Sequence, residues 1–333
     1  SVMFSICLPL LTVTSMLKGF TFKWPKFKKN LIIVPALSIL AFYALRLGFE
    51  NISHQYQGYT KFITRDFINT SLHNSLKASY KSEAETSKNT AEPFSEVLER
   101  IKQRGFLRVG YFRDDLPYSF HNNEGKLVGF DIEILSLLAV DLNVDIEFVR
   151  IYHNQAAPLL SSGYLDITSG IPLIPDNMNE FTLSETYSEQ AIAFLVKDER
   201  RAEFTEWEKI RTDKDLIIGI PETFFYQKAV ERYFVHDKAW KISTPRLFFK
   251  EKYQHIDGLL FGAAAASGWT LLHPEYTVIA PKPALDPIFM AFPINKNDYS
   301  FELFLRNWIS MKKQNKTFTK LFQYWIEGKT PNK

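Results

Sequence analysis

The residues best suited to chemistry are two adjacent acids, Asp114 and Asp115, in the stretch "LRVGYFRDDLPYSFHNNEGKLVGFDIEI". Paired carboxylates serve as general acid and base only where a cleft raises one pKa; on a solvated loop they do neither. Elsewhere the reactive residue types are scattered. The single cysteine, Cys7, lies in an apolar run, so neither an intramolecular disulfide nor a cysteine-rich metal site is available. The seven histidines are dispersed, and His153, His255 and His273 suit surface or capping places better than metal ligation. HExxH, GxxxxGK and GxSxG are all missing, which leaves zinc-peptidase, P-loop and serine-hydrolase chemistry without their residues. No metal and no cofactor is expected. With 40 basic against 37 acidic residues the net charge is only +3, so no nucleic-acid partner is expected either.

The elements that must position these acids begin near Phe94. "EPFSEVLERIKQRG" reads as a helix ended by Gly105, "FLRVGYF" as a strand, and "VDIEFV" as a second strand. Between them Asp131 is placed to cap a helix whose Ile132, Leu135, Leu138, Ala139 and Leu142 share a face. A strand, a crossover helix and a strand make a parallel, right-handed unit. "LDITSG" and "AIAFLVKD" supply further strands. A second set follows in "DLIIGI", "HIDGLLFG" and "YTVIAP", with helices over "ETFFYQKAVERYF" and "AAAASGWTLL". "PIFMAFPIN" is a last strand before two amphipathic helices close the chain. Two α/β groups joined through strands imply two lobes facing a cleft.

The front of the chain is different. Ser1 to Leu17 carries no charge, and Leu31 to Phe49 carries one, Arg46. As helices these runs reach roughly 26 to 29 Å, close to the ~30 Å hydrocarbon core, so both are expected to span a membrane. A buried core segment or a signal peptide is the alternative for the first. The loop at 18–30 holds Lys18, Lys23, Lys26, Lys28 and Lys29 and no acid, which marks it as cytoplasmic and everything after about residue 50 as extracytoplasmic. Because the chain starts at Ser1 without methionine, a fragment or a processed chain that begins inside or beside a membrane helix is expected. From Tyr59 to Leu76 the apolar spacing predicts an amphipathic helix, against the membrane surface or against the soluble part. The polar "KASYKSEAETSKNTAEP" then reads as a linker, completing a 50–93 connector.

The stretch at 107–149, with "SGIPLIPDNMNEFTLSETYSEQ" after it, resembles the extracellular solute-binding proteins of the polar-amino-acid type, family 3. The resemblance covers roughly 94 to 328. It implies an α/β, two-lobe periplasmic-binding-protein fold of the hinged-clamp type II, preceded here by the transmembrane helices. Lobe 1 would take about 94–192 and 290–333, lobe 2 about 193–289, with hinge crossings at 191–198 and 287–295. The implied function is a membrane-tethered clamp for a small polar or anionic solute, closing by hinge bending. The two front segments, the basic loop, "GWTLLHPEYTVIAP" and "WISMKKQNKTFTKLFQYWIEG" further resemble fusions of such a domain to a dicarboxylate/amino-acid:cation symporter-like membrane region. Its partners would be the solute, the membrane and that transport region, on the periplasmic side of a bacterial inner membrane.

In this family reading Asp115 approaches the ligand and the ring of Tyr118 covers it; Tyr118 and Phe120 also read as plain core aromatics. The arginine that such proteins place two residues beyond the proline of this loop is Asn177 here, and no arginine lies between Arg150 and Arg200. At the acidic position after the second lobe's strand stands Gly262. Both charged anchors for a zwitterion are therefore missing. The replacements are the backbone at Ser169 and Gly170, the Asn177 amide, and the helix start at Glu222 and Thr223, whose N–H groups favour an anion. Two other functions compete: a dehydratase on the same scaffold, with Glu222 as its acid, and a sensor or interaction domain that needs no ligand.

Overall fold

In the computed structural model, which describes residues 62–68, 76–82 and 96–329 apart from 113, 234–238 and 297, the first full helix is α1 (Val97–Arg104). It stops at Gly105, whose left-handed φ of 80° lets its N–H close onto the Ile101 carbonyl. The chain then enters β2 (Phe106–Phe112) and passes a small hairpin, β3 (Phe120–His121) and β4 (Leu127–Val128). Helix α2 (Phe130–Asp141) carries it over to β5 (Asp145–Ile151), parallel to β2 over seven residues. The sequence predicts one buried face on α2, yet every residue from Phe130 to Ala139 is buried. The terminal helix packs on its other side. Asp131 does not cap α2: Gly129 holds the cap position at φ 136°, where an added Cβ would come within 2.3 Å of the Tyr118 carbonyl.

Helix α3 (His153–Ser161), β6 (Ile167–Thr168), β7 (Ile171–Pro172), α4 (Pro175–Glu180), β8 (Thr182–Leu183) and β9 (Ser188–Gln190) complete the first pass through this lobe. The second lobe runs through β10 (Ile192–Lys197), α5 (Trp207–Thr212), β11 (Ile218–Pro221), α6 (Phe224–Tyr233), β12 (Ala239–Ile242), β13 (Gly258–Gly262), α7 (Ala263–Thr270) and β14 (Tyr276–Ile279). β15 (Ile288–Ala291) and β16 (Pro293–Ile294) lead back, and α8 (Tyr299–Gln314) and α9 (Thr317–Trp325) close the chain.

With β1 (Ala78–Lys81) at its edge, one sheet has six strands in the order β1-β5-β2-β6-β16-β8, the other five in the order β12-β11-β13-β10-β14. Strands β9 and β15 lie antiparallel, Ile288 opposite Gln190, so the outward and return crossings run side by side, whereas the stretch 191–198 expected as a crossing supplies β10 inside the five-stranded sheet. The apolar runs of β10 and β13 bury Phe194, Leu195, Val196, Leu259 and Leu260 almost completely, as strands covered on both faces do.

Two expectations for the connector fail among the described residues. Arg65 to Phe67 are not helical, so no continuous helix runs over 59–76. Phe62 and Phe67 are buried in the main core, Phe62 stacking on Phe120 with centroids 4.8 Å apart, which joins this segment to the soluble part. Arg65 donates to the Tyr324 carbonyl at 2.7 Å, and Glu133 accepts from Ile68 N–H at 2.8 Å and Trp325 Nε1 at 2.6 Å. The stretch read as linker supplies β1 (Ala78–Lys81), parallel to β5 at the sheet edge. Edge pairing uses backbone groups and tolerates exposed polar side chains, so composition hid it. The two apolar runs at 1–17 and 31–49 lie outside the described residues, among which no helix is long and apolar enough to cross a membrane.

Candidate functional site

Strand β2 delivers the chain into a tight turn in which Asp114 adopts φ 59° and the Asp115 carbonyl accepts from Tyr118 N–H at 2.7 Å and Ser119 N–H at 2.8 Å. The turn holds the Asp115 carboxyl among protein groups, although the residue keeps some exposed surface. Burial pushes this carboxyl up to about 8, and the charge of nearby Asp131 adds to the effect. No hydrogen bond to it is present among the described residues. Tyr118 is 2% exposed and its hydroxyl has no hydrogen-bond partner; burial and then the neighbouring Asp115 and Asp131 raise its pKa. Phe120 is core, as one of the two readings had it.

Asp131, one residue into α2, is the second acid. Its Oδ1 accepts from the Tyr187 hydroxyl at 2.7 Å and its Oδ2 from Gly170 N–H at 2.9 Å. Burial raises it to about 7 against the pull of those two bonds. Gly170 must be glycine, since a Cβ there would meet the Tyr187 hydroxyl at 2.0 Å. Ser169 is fully buried; its N–H donates to the Gly110 carbonyl at 2.8 Å, and its Oγ has no partner.

The second lobe brings Tyr226 from α6 and Gly262 from the end of β13. Burial, then the charge of Asp115, raise the Tyr226 phenol, whose oxygen meets the backbone of Gly262. The hinge residue Gln190 fills the side of Gly262, its Oε1 2.1 Å from where a Cβ would stand. An acidic side chain at 262 has no room, which explains the glycine.

The structure thus brings Asp115, Tyr118, Ser169, Gly170 and Gly262 to one place, but it corrects the roles expected for the anion donors. Gly170 N–H is spent on Asp131 and Ser169 N–H on Gly110. The Asn177 amide donates to the Pro172 carbonyl at 2.7 Å, a bond that ties its own loop. Thr223 N–H donates to the Pro221 carbonyl at 2.7 Å and Glu222 N–H to Ile242 at 3.0 Å. Glu222 is exposed, so it has no environment that would make it a cleft acid. Sequence reasoning missed Asp131, Tyr187, Gln190 and Tyr226; the signal for Tyr187 was its place in the "SETYSEQ" stretch, and Asp131 was taken for a cap.

The lobes touch across the mouth of this site. Arg246, from the turn of helix at Pro245–Phe249, pairs with Asp114 at 2.7 Å and lies 5.3 Å over the Trp269 ring. Gly268 of α7 packs on Leu116, where a Cβ would come within 3.2 Å of the Leu116 Cβ.

The family model for bacterial extracellular solute-binding proteins, family 3, matches residues 107–328. Cyclohexadienyl dehydratase of Pseudomonas aeruginosa is 23% identical over 244 residues, 70% of this chain and 87% of that protein. The L-cystine-binding protein TcyJ of Escherichia coli K12 is 28% identical over 102 residues, 30% of this chain and 38% of its own length. Among solved structures, the ancestral amino acid-binding protein AncCDT-1, a precursor of cyclohexadienyl dehydratase, matches with TM-score 0.63 at 25% identity, over 69% of this chain and 99% of that one. The amino acid ABC transporter substrate-binding protein AbpA of Streptococcus pneumoniae, bound to L-arginine, has the same fold, with TM-score 0.63 at 19% identity over 69% and 98%.

Proposed function

The chain belongs to the bacterial extracellular solute-binding proteins, family 3, and on that premise we propose that it captures a small polar solute of the amino-acid class between its two lobes. The observation that carries this reading is the buried cluster at the lobe boundary: Asp115, Asp131 and Tyr118 from one side and Tyr226 from the other, within electrostatic reach of each other. The paired hinge strands supply the bending, and closure buries the solute. Its place is the extracytoplasmic face of a bacterial inner membrane, held by helices at 1–17 and 31–49 and serving or regulating an attached symporter-like region. Relatives that bind amino acids support the ligand class.

A thermal-shift screen of the full chain in mild detergent against amino acids, organic amines, dicarboxylates and sugar acids tests it. A solute at 100 times its Kd adds about 2.7 kcal/mol. The expected rise is several degrees, at roughly 2 to 4 °C per kcal/mol. A flat screen contradicts solute capture.

One observation favours a second reading, a dehydratase. A carboxyl held up to about 8 is protonated at neutral pH and suits a general acid, so the enzyme would work through Asp115 rather than Glu222. Turnover of a cyclohexadienyl acid that disappears in Asp115→Asn would establish it.

A further inference from the structure

We propose that the solute is a small organic cation, an amine or guanidine, whose charged end is taken by Asp115 and its neighbours and whose binding needs no carboxylate. This deepens the solute-capture reading and rests on it.

The inference comes from which polar groups at the site are already used. The four donors that the sequence offered to an anion are spent inside the protein: Gly170 on Asp131, Ser169 on Gly110, Asn177 on Pro172, Thr223 on Pro221. Among the described residues the buried basic side chain is Arg100, and it is committed to Asp166, 3.0 Å away. What remains beside Asp115 among the described residues can accept hydrogen bonds from a ligand. The Asp115 carboxyl accepts no hydrogen bond there, and the Tyr118 hydroxyl and Ser169 Oγ are buried without partners. A carboxylate offers lone pairs and no donors, and two hydroxyl oxygens can each accept; together they suit the N–H groups of an ammonium or guanidinium. An incoming carboxylate would instead be set beside two acids, with no buried cation among the described residues left to offset them.

The groups facing Asp115 are Tyr118 on its own loop, Asp131 and Tyr187 from the first lobe, and Tyr226 from the second. All are neutral or anionic, so a bound cation is the charge that lets Asp115 ionise. Binding should therefore release a proton wherever the free carboxyl is protonated. Affinity should rise with pH up to the region of 8, by as much as tenfold per unit for one proton released.

Matched pairs differing by the carboxylate test this: agmatine against L-arginine, and cadaverine against L-lysine, with succinate and L-glutamate as anions. Calorimetry on the full chain at pH 6.0, 7.0 and 8.0, in buffers of different ionisation enthalpy, reads affinity and proton count together. The expected result is that at least one of agmatine and cadaverine binds no weaker than its amino-acid partner, with proton release, and that Asp115→Asn weakens it a hundredfold or more. Tyr118→Phe, which keeps the ring, should weaken it several-fold, and the melting curve of each variant shows that it is folded. Binding of the amino acids with loss of binding by both decarboxylated partners would overturn the proposal and leave solute capture standing. Binding of succinate or L-glutamate with proton uptake would do the same. Silence from all six would overturn this proposal, and a flat result in the broader screen as well would overturn solute capture with it.

Discussion

Two buried aspartates in the same lobe meet opposite fates. Asp166 is fully buried between α3 and β6, and three residues from α1 and β2 hold it. Arg100 donates to Oδ1 at 3.0 Å, Arg104 pairs with Oδ2, and Arg108 N–H donates to Oδ2 at 2.8 Å. Burial raises its pKa against the pull of Arg104 and Arg100. Asp115 keeps some exposed surface and, among the described residues, has no such partner; the groups that act on it there are another acid and phenols. A buried carboxylate that is fully hydrogen-bonded belongs to the fold. One left without a counterion costs stability, and that cost marks a place meant for something else.

Mutations should separate the two. The largest effect is expected at Asp166→Ala, which strands two arginines in the interior and should cost about 3 to 5 kcal/mol in urea unfolding. A loss under about 1 kcal/mol would erase the contrast. Next is Gly170→Ala, whose Cβ collides with the Tyr187 hydroxyl at 2.0 Å and disturbs the Asp131 network; a cost of about 1 to 3 kcal/mol is expected, with ligand binding lost alongside.

Asp115→Asn should act with the opposite sign. With a folded pKa near 8 against an ordinary value of 3.8, the protonated acid is the form that the fold prefers. That contribution is complete below pH 4 and is lost as pH rises through 8. The variant should match the wild type below pH 4 and gain on it as pH rises, melting higher at pH 8.5 by on the order of 1 kcal/mol or more, while binding falls. The smallest effect is expected at Arg246→Ala. Its pair with Asp114 is half exposed and should be worth under about 1 kcal/mol, so stability is unchanged while ligand release quickens by no more than about fivefold in stopped flow.

The sequence carried the buried strands well because they are spelled as continuous apolar runs, as in "AIAFLVKD" and "GLLFG". It hid β1 because an edge strand needs only backbone, and its serine, tyrosine and lysine read as linker. Asp115 and Tyr118 were legible as site residues because they share one loop. Their partners were not: Asp131, Tyr187 and Tyr226 lie 16, 72 and 111 positions beyond Asp115, and only the folded chain brings them together. Nor can a sequence say which donors are already used, which is why Asn177, Gly170 and Thr223 read as anion holders, while in the fold Asn177 and Thr223 donate to nearby backbone carbonyls and Gly170 to the Asp131 carboxylate.

The most direct test of the contrast is a carbon-detected NMR titration of the aspartate carboxyls in the full chain without ligand, with Asp115→Asn identifying the resonance. An inflection for Asp115 near pH 8 is expected, moving to lower pH when agmatine is added. An inflection near 4 in the free protein would mean that a counterion already serves this carboxyl, and the distinction between the two aspartates would fall.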